Sequence, residues 1–336
     1  MSVSSFYPLF HKTKLGLGVS HPDIFMTWVG GVDFSYRLSR KKKGIQLYIS
    51  THLPMFQHLS TILSYQSIDV YSIDDLPSST KLALSGGGAV FCKTICKDSS
   101  DIFYVENVQR DTIVLNGRTH TMQELICSWE QFQLNILDNP YGYTSKEITK
   151  HALIQFVKKF PNVVQNLQRW SLLLRRGSMR NSWKELLSTK KGYFLLAIQA
   201  YQQLSLSARS YRERFVSSLS HCALWLSIPE LARAARFFQK SSQQWQRLGE
   251  VLISLDAPTL QQAMLKIRLH TWSPEEELYL CSQFERSNTP IDLSFRLEVL
   301  QTTLARIIEL ESKGVEAISQ CVRREKQLFQ TYAFGK

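Results

Sequence analysis

Asn139-Pro140-Tyr141-Gly142 divides this 336-residue chain into two stretches of different character. Turn-forming residues cluster there, and both charge and hydrophobic period change across it. Residues 1–140 carry 12 Lys+Arg against 12 Asp+Glu. Residues 141–336 carry 28 against 16, which supplies the whole formal charge of +12. The excess is tightest over residues 141–247, with 18 basic and 4 acidic side chains. A change of charge and period at one place predicts two domains, 1–138 and 143–336. The basic one is expected to meet an acidic partner.

On the N-terminal side of the break the elements read as short and mixed. Ile24–Tyr36 is apolar with a Gly30-Gly31 interruption. Gly44–Ser50 alternates through Ile45, Leu47 and Ile49 and predicts a strand. Leu53–Tyr65 fits a helix, Ile68–Ile73 a strand, and Asp75–Leu84 another helix. Ala89–Ile95 and Ile102–Val108 flank a polar turn and predict a hairpin. Thr112–Leu115 follows, then an Asn116-Gly117 turn. Thr121–Phe132 fits a helix with Met122, Leu125, Ile126 and Trp129 on one face. This order predicts an α+β module.

Beyond the break, helical spacing dominates. Thr144 or Ser145 can cap a helix from Lys146, which Pro161-Asn162 is expected to interrupt before Val163–Leu174 resumes. Ser210–Leu226 places Phe215, Leu219, Cys222 and Leu226 on one face. Pro229 suits the first turn of the next helix. That helix presents Leu231, Ala234, Ala235, Phe238, Trp245, Leu248 and Leu252 on one side. Ile291–Lys313 repeats the pattern with Leu293, Leu297, Leu300, Leu304, Ile307 and Ile308. Such stripes need partners, so the second stretch is expected to be an all-α bundle.

Six cysteines stand at 92, 96, 127, 222, 281 and 321, without zinc-finger or Cys-x-x-Cys spacing. That pattern fits a reducing cytoplasm. Residues 1–18 lack the apolar run of a signal peptide, and no stretch approaches the roughly 18 apolar residues of a membrane span. Gly86-Gly87-Gly88 precedes a strand rather than a helix, so a turn is favoured over a phosphate cradle. Cys92 and Cys96 share one strand face by spacing, as a metal or redox pair would, but buried cysteines usually serve as small hydrophobes. His221 and Cys222 are adjacent on a helix, where neighbours diverge, and make a poor nucleophile–base pair.

Basic residues concentrate at Arg175, Arg176 and Arg180, at Lys190 and Lys191, and at Arg209, Arg212 and Arg214. One such cluster is ordinarily a solvated face. Several in one domain make them candidates for binding an acidic partner.

Tyr211-Arg212-Glu213-Arg214-Phe215, continuing through Ala232, Ala235, Phe238 and Trp245 to Leu248, resembles the helical C-terminal region of proteins similar to butirosin biosynthesis protein H. Gly142–Trp170 resembles the helices that open that region. Phe25–Tyr36, with Gly30-Gly31 and Phe34-Ser35-Tyr36, resembles the family's glycine-rich apolar segment. Tyr104-Val105-Glu106-Asn107 and the segment from Thr121 resemble its late strand and helix. The resemblance implies a papain-like N-terminal domain followed by an all-α helical domain. It also implies transfer of an aminoacyl chain from an acyl carrier protein to an amine, by a Cys nucleophile, a His base and an orienting Asp or Asn.

The chain departs from that pattern at the chemistry. Ser4 and Ser5 stand where the Cys is expected, and no cysteine precedes Cys92. Gly88-Ala89-Val90 stand where the His is expected. Asn107 alone matches the orienting residue. The expectation is therefore a degenerate family member of secondary metabolism that binds an acyl carrier protein or another acidic partner, with no metal and no cofactor. One alternative is an active acyltransferase with a rebuilt site from Ser4, Ser5, Cys92, Asn107 and one of His11, His21, His52 or His120. Another is a basic scaffold for nucleic acid or an anionic membrane surface. Self-association into a homo-oligomer is left open.

Overall fold

The computed structural model describes residues 35–41, 44–50, 64–70, 89–96, 99–109, 112–115, 118–121, 123, 131–138, 145–175, 183–253, 257–288 and 292–333. The chain is α+β and rich in helix. It forms two compact units, Met1–Gly30 with Pro54–Gln155, and Gly31–Leu53 with Phe156–Lys336. Among the described residues, no helix is long and apolar enough to cross a membrane.

The first unit holds a six-stranded antiparallel sheet. Its strands are β3 (Ser64–Val70), β4 (Ala89–Cys96), β5 (Ser99–Val108), β6 (Thr112–Leu115), β7 (Arg118–Thr121) and β8 (Gln131–Asp138), in spatial order β3-β8-β4-β5-β6-β7. The expected β4–β5 hairpin is present, with Val90 opposite Val105 and Cys96 opposite Ser99. Leu115 pairs with Arg118, so Asn116-Gly117 alone lies between β6 and β7, as the turn signal requires. The helix expected over Thr121–Phe132 is corrected at both ends. Thr121 closes β7, while Gln131 and Phe132 open β8, which pairs with both β3 and β4. Phe132, Leu134 and Ile136 alternate with Gln131, Gln133 and Asn135, a period of two that belongs to a strand. Tyr65, expected in a helix, lies in β3. The helix expected over Asp75–Leu84 lies outside the described residues, as do residues 53–63 and 24–34.

The second unit contains a hairpin, β1 (Ser35–Lys41) and β2 (Gly44–Ser50), and most of the helices. These are α1 (Ser145–Arg175, within this unit from Phe156), α2 (Trp183–Leu187), α3 (Lys190–Ala200), a π-helical segment (Tyr201–Ala208), α4 (Arg209–Trp225), α5 (Pro229–Glu250), α6 (Pro258–Arg268), α7 (Pro274–Arg286) and α8 (Leu293–Ala333). Strand β2 lies against α3 and the π segment.

Helix α1 passes through Pro161 unbroken, contrary to expectation. Pro161 faces solvent, while Phe156, Phe160, Val163, Leu167, Trp170 and Leu174 are buried at spacings of four and three. Burial of that stripe outweighs the roughly 3 kcal/mol a helical proline costs.

The core of this unit is aromatic. Phe215 meets Phe238 edge-on at 4.7 Å and Phe156 at 5.0 Å. Trp170 lies between Trp183 at 5.9 Å and Trp245 at 6.5 Å. Helices α4 and α5 run antiparallel through a tight reversal in which Ser227 adopts φ 56° and the Ile228 N–H donates to the Ala223 carbonyl. Helix α8 runs antiparallel to α5, since Arg324 reaches Glu230 while Arg296 donates to the Val251 carbonyl.

Candidate docking surface

The positions expected to carry catalysis fall into two groups. Ser4, Ser5, His11, His21 and His52 lie outside the described residues. Asn107, His120 and Cys92 belong to the sheet of the first unit: register puts Asn107 and His120 on opposite faces, and strand order sets β5 and β6 between Cys92 on β4 and His120 on β7. A bulge lies between Val105 and Asn107, after which Asn107 pairs with Val114 and Val108 with Ile113. Val105, Val108 and Ile113 are buried on one face. His120 pairs with Ile113 and shares that face, whereas Asn107 is exposed on the other, in line with Val114 and the exposed Thr119. Cys92 pairs with Phe103, four residues along β5 from Asn107. The structure does not gather Asn107 and His120 into a dyad. Among the described residues, no three His, Cys, Asp or Glu side chains form a metal-binding group. On α4, His221 is exposed and Cys222 buried.

Of the expected cationic residues, the structure describes the side chains of Lys190, Lys191, Arg209, Arg212 and Arg214, and these differ in burial and partners. Arg176 and Arg180 lie outside the described residues, and Arg175 ends α1. Lys190 is half-buried and donates to the Ser287 carbonyl. Lys191 is exposed, Arg214 half-buried, and Arg209 is engaged by Glu213 at 2.7 Å.

Arg212 is corrected outright. It is fully buried and therefore unavailable to a docking partner. Its Nε donates to Glu311 Oε1 at 2.8 Å and its Nη2 to Oε2 at 3.1 Å. Oε1 also accepts from Ser241 Oγ and Trp245 Nε1, each at 2.8 Å. The guanidinium stacks 5.1 Å from the Trp245 ring and 5.7 Å from the Tyr211 ring. Burial raises the Tyr211 phenol pKa, and the Arg212 charge only partly offsets that rise. A bidentate pair with two further donors compensates much of the cost of burying both charges. The pair ties α4, α5 and α8 together.

Helix α5 is held by this arrangement from the inside. Leu231, Ala234, Ala235, Phe238, Ser241, Ser242, Trp245, Leu248 and Gly249 are all buried. Its outer face carries Arg233, Arg236, Lys240, Gln243 and Arg247, all exposed, at alternating spacings of three and four. That spacing keeps them in one row along the helix. Over fourteen residues the row is about 21 Å long. Among the described residues, none of these four cations forms an ion pair with an acidic side chain. The helix's own acids stand at its two ends and are already engaged. Glu230 accepts from Arg324 at 3.3 Å, and Glu250 from Arg268 at 3.3 Å. Elsewhere cations are matched locally, as with Arg306 and Lys313 on Glu309 and Lys266 on Glu276.

Sequence reasoning found the apolar side of α5 and passed over this row. The signal was the complement of the apolar stripe, since the basic residues fall on the half of the helical wheel that Leu231, Phe238 and Trp245 leave free. No model of a known protein family matches the chain, and no curated protein matches it.

Proposed function

We propose that this protein is a non-catalytic accessory that docks an acidic partner of the acyl-carrier-protein type through its helical unit. The observation that carries the reading is the row of four exposed cations on α5, which pair with no acidic side chain among the described residues. Uncompensated charge on a rigid element attracts an oppositely charged surface and speeds encounter. In this reading the first unit is a degenerate papain-like module of the butirosin biosynthesis protein H kind. The separation of Asn107 from His120 across the sheet supports its lack of turnover.

Fluorescence anisotropy with a labelled acyl carrier protein tests the docking. Affinity is expected to fall by about tenfold or more between roughly 50 and 300 mM salt. Salt-independent binding, or none, rejects it. Incubation with a carrier-bound acyl thioester and an amine should release acyl groups at the buffer rate. Turnover above that rate would restore the reading as an active acyltransferase.

A further inference from the structure

We infer that the partner segment that docks here is an α-helix bearing carboxylates at i, i+3, i+7 and i+14, laid along the outer face of α5. This rests on the docking reading above and specifies its geometry. Arg233, Arg236, Lys240 and Arg247 occupy those four positions of α5. A helix laid parallel to α5 rises by the same increment per residue, so side chains of the same spacing come opposite each other along its length. Exposed Gln239 and Gln243 sit within the same stretch and can hydrogen-bond the same carboxylates.

The shape of the row selects this occupant. It runs along one face of a single helix between Glu230 and Glu250, the helix's own acids, each held by an arginine from another helix. A nucleic-acid duplex is gripped through the phosphates on both sides of its groove, whereas these four cations lie along a single line. A membrane-binding helix needs exposed apolar anchors. The exposed large apolar residues lie at Leu172, Leu206, Leu224, Leu265, Leu278 and Phe295, among others, and none is on α5. The buried contacts of Trp245, Ser241 and Phe238 fix the α5 backbone before binding. Docking therefore costs side-chain freedom but no backbone ordering.

The test uses the full chain and three probes. One is a stapled helical peptide of about 20 residues with Glu at i, i+3, i+7 and i+14. The second is a peptide of the same composition in scrambled order, and the third a DNA duplex. The ordered peptide should bind about tenfold more tightly than the scrambled one and the duplex. Arg236→Glu with Lys240→Glu should weaken it by about tenfold or more. The control pair Lys158→Glu with Lys184→Glu, exposed on α1 and α2, should change affinity by less than about twofold. Unchanged circular dichroism and thermal midpoint confirm that the variants fold. Equal affinity for ordered and scrambled peptides, tighter binding of the duplex, or an equal loss in the control pair overturns the inference. If the carrier protein binds salt-sensitively and the α5 reversals leave it untouched, the α5 assignment falls and the docking reading stands. If neither carrier nor peptide binds, both fall.

Discussion

At Arg212 and Glu311 the stakes of a buried charge are explicit. Each partner satisfies the other, and Ser241 and Trp245 complete the Glu311 acceptor shell. Glu311→Ala leaves a guanidinium, an indole N–H and a hydroxyl stranded in the core. It is expected to destabilise the second unit by about 3–5 kcal/mol in urea unfolding. The double variant Arg212→Met with Glu311→Leu should recover most of that loss, because it removes both charges at similar volume. Among the described residues Arg212 Nη1 has no hydrogen-bond partner, which favours recovery further.

Two other buried residues set an alkaline limit. Burial pushes the Tyr193 phenol from 10.0 to about 12 against the opposing charge of Arg296, and its hydroxyl donates to the Leu252 carbonyl at 2.7 Å. Burial, then Glu285, pushes the Cys281 thiol from 9.0 to about 11 against Lys191, with Glu277 adding to the rise. Both groups hold their protons more tightly in the folded chain. Their stabilising contribution is complete below the unfolded values of 9.0 and 10.0 and is lost as pH rises towards about 11 and about 12. The thermal midpoint should therefore fall as pH climbs above 9.0, and Tyr193→Phe with Cys281→Ala should flatten that slope. A wild-type midpoint that stays level to pH 11 would contradict this account of their burial.

Among the elements, helix ends and close approaches define what can change. Ser227 at φ 56° and His270 at φ 57° end α4 and α6 in the left-handed region. Glycine adopts that conformation without a Cβ penalty, so Ser227→Gly and His270→Gly should each stabilise by about 0.5–1 kcal/mol. Gly249 shows the opposite sensitivity. A Cβ there would stand 2.5 Å from the Ser205 backbone nitrogen, where α5 crosses the π segment. Gly249→Ala is expected to cost about 1–3 kcal/mol in chemical denaturation. Gly314 meets the Phe238 ring in the same way, at 2.6 Å.

The elements that sequence reading recovered are those with one buried face. Helix α5 is the clearest case, with Pro229 opening it and every expected apolar position buried. Helix α3 gave no periodic signal, because Tyr193, Phe194, Leu196, Ala197, Ile198 and Ala200 bury it nearly all round. The π segment has no compositional signature, since its wider winding depends on what it packs against. At Pro161 a local rule lost to a long-range stripe. At β8 an apolar helical pattern was extended across Gln131, where alternation had already begun.

For the whole molecule, the chain's net charge of +12 was legible as a number and a location but not as a surface. Basic density pointed to Arg209, Arg212 and Arg214. Yet Arg212 faces inward to Glu311, Arg209 is spent on Glu213, and Arg233 and its row face outward. Only the helix's orientation in the bundle distinguishes a core cation from a docking one. The candidate catalytic residues rested on a resemblance alone, and the sheet register adds that Asn107 and His120 occupy opposite faces.

The hairpin β1–β2 has a consequence for how the protein is made. Residues 31–53 belong with α3 and the π segment, although Pro54–Gln155 build a different unit. A ribosome emits about 100 intervening residues before Phe156, which takes roughly 5–20 s. Throughout that interval the nascent ribbon has no mate and is open to improper annealing or capture by a chaperone. A fragment beginning at residue 143 lacks the ribbon altogether, and it should melt lower and bind more hydrophobic dye than the same helices in the intact chain.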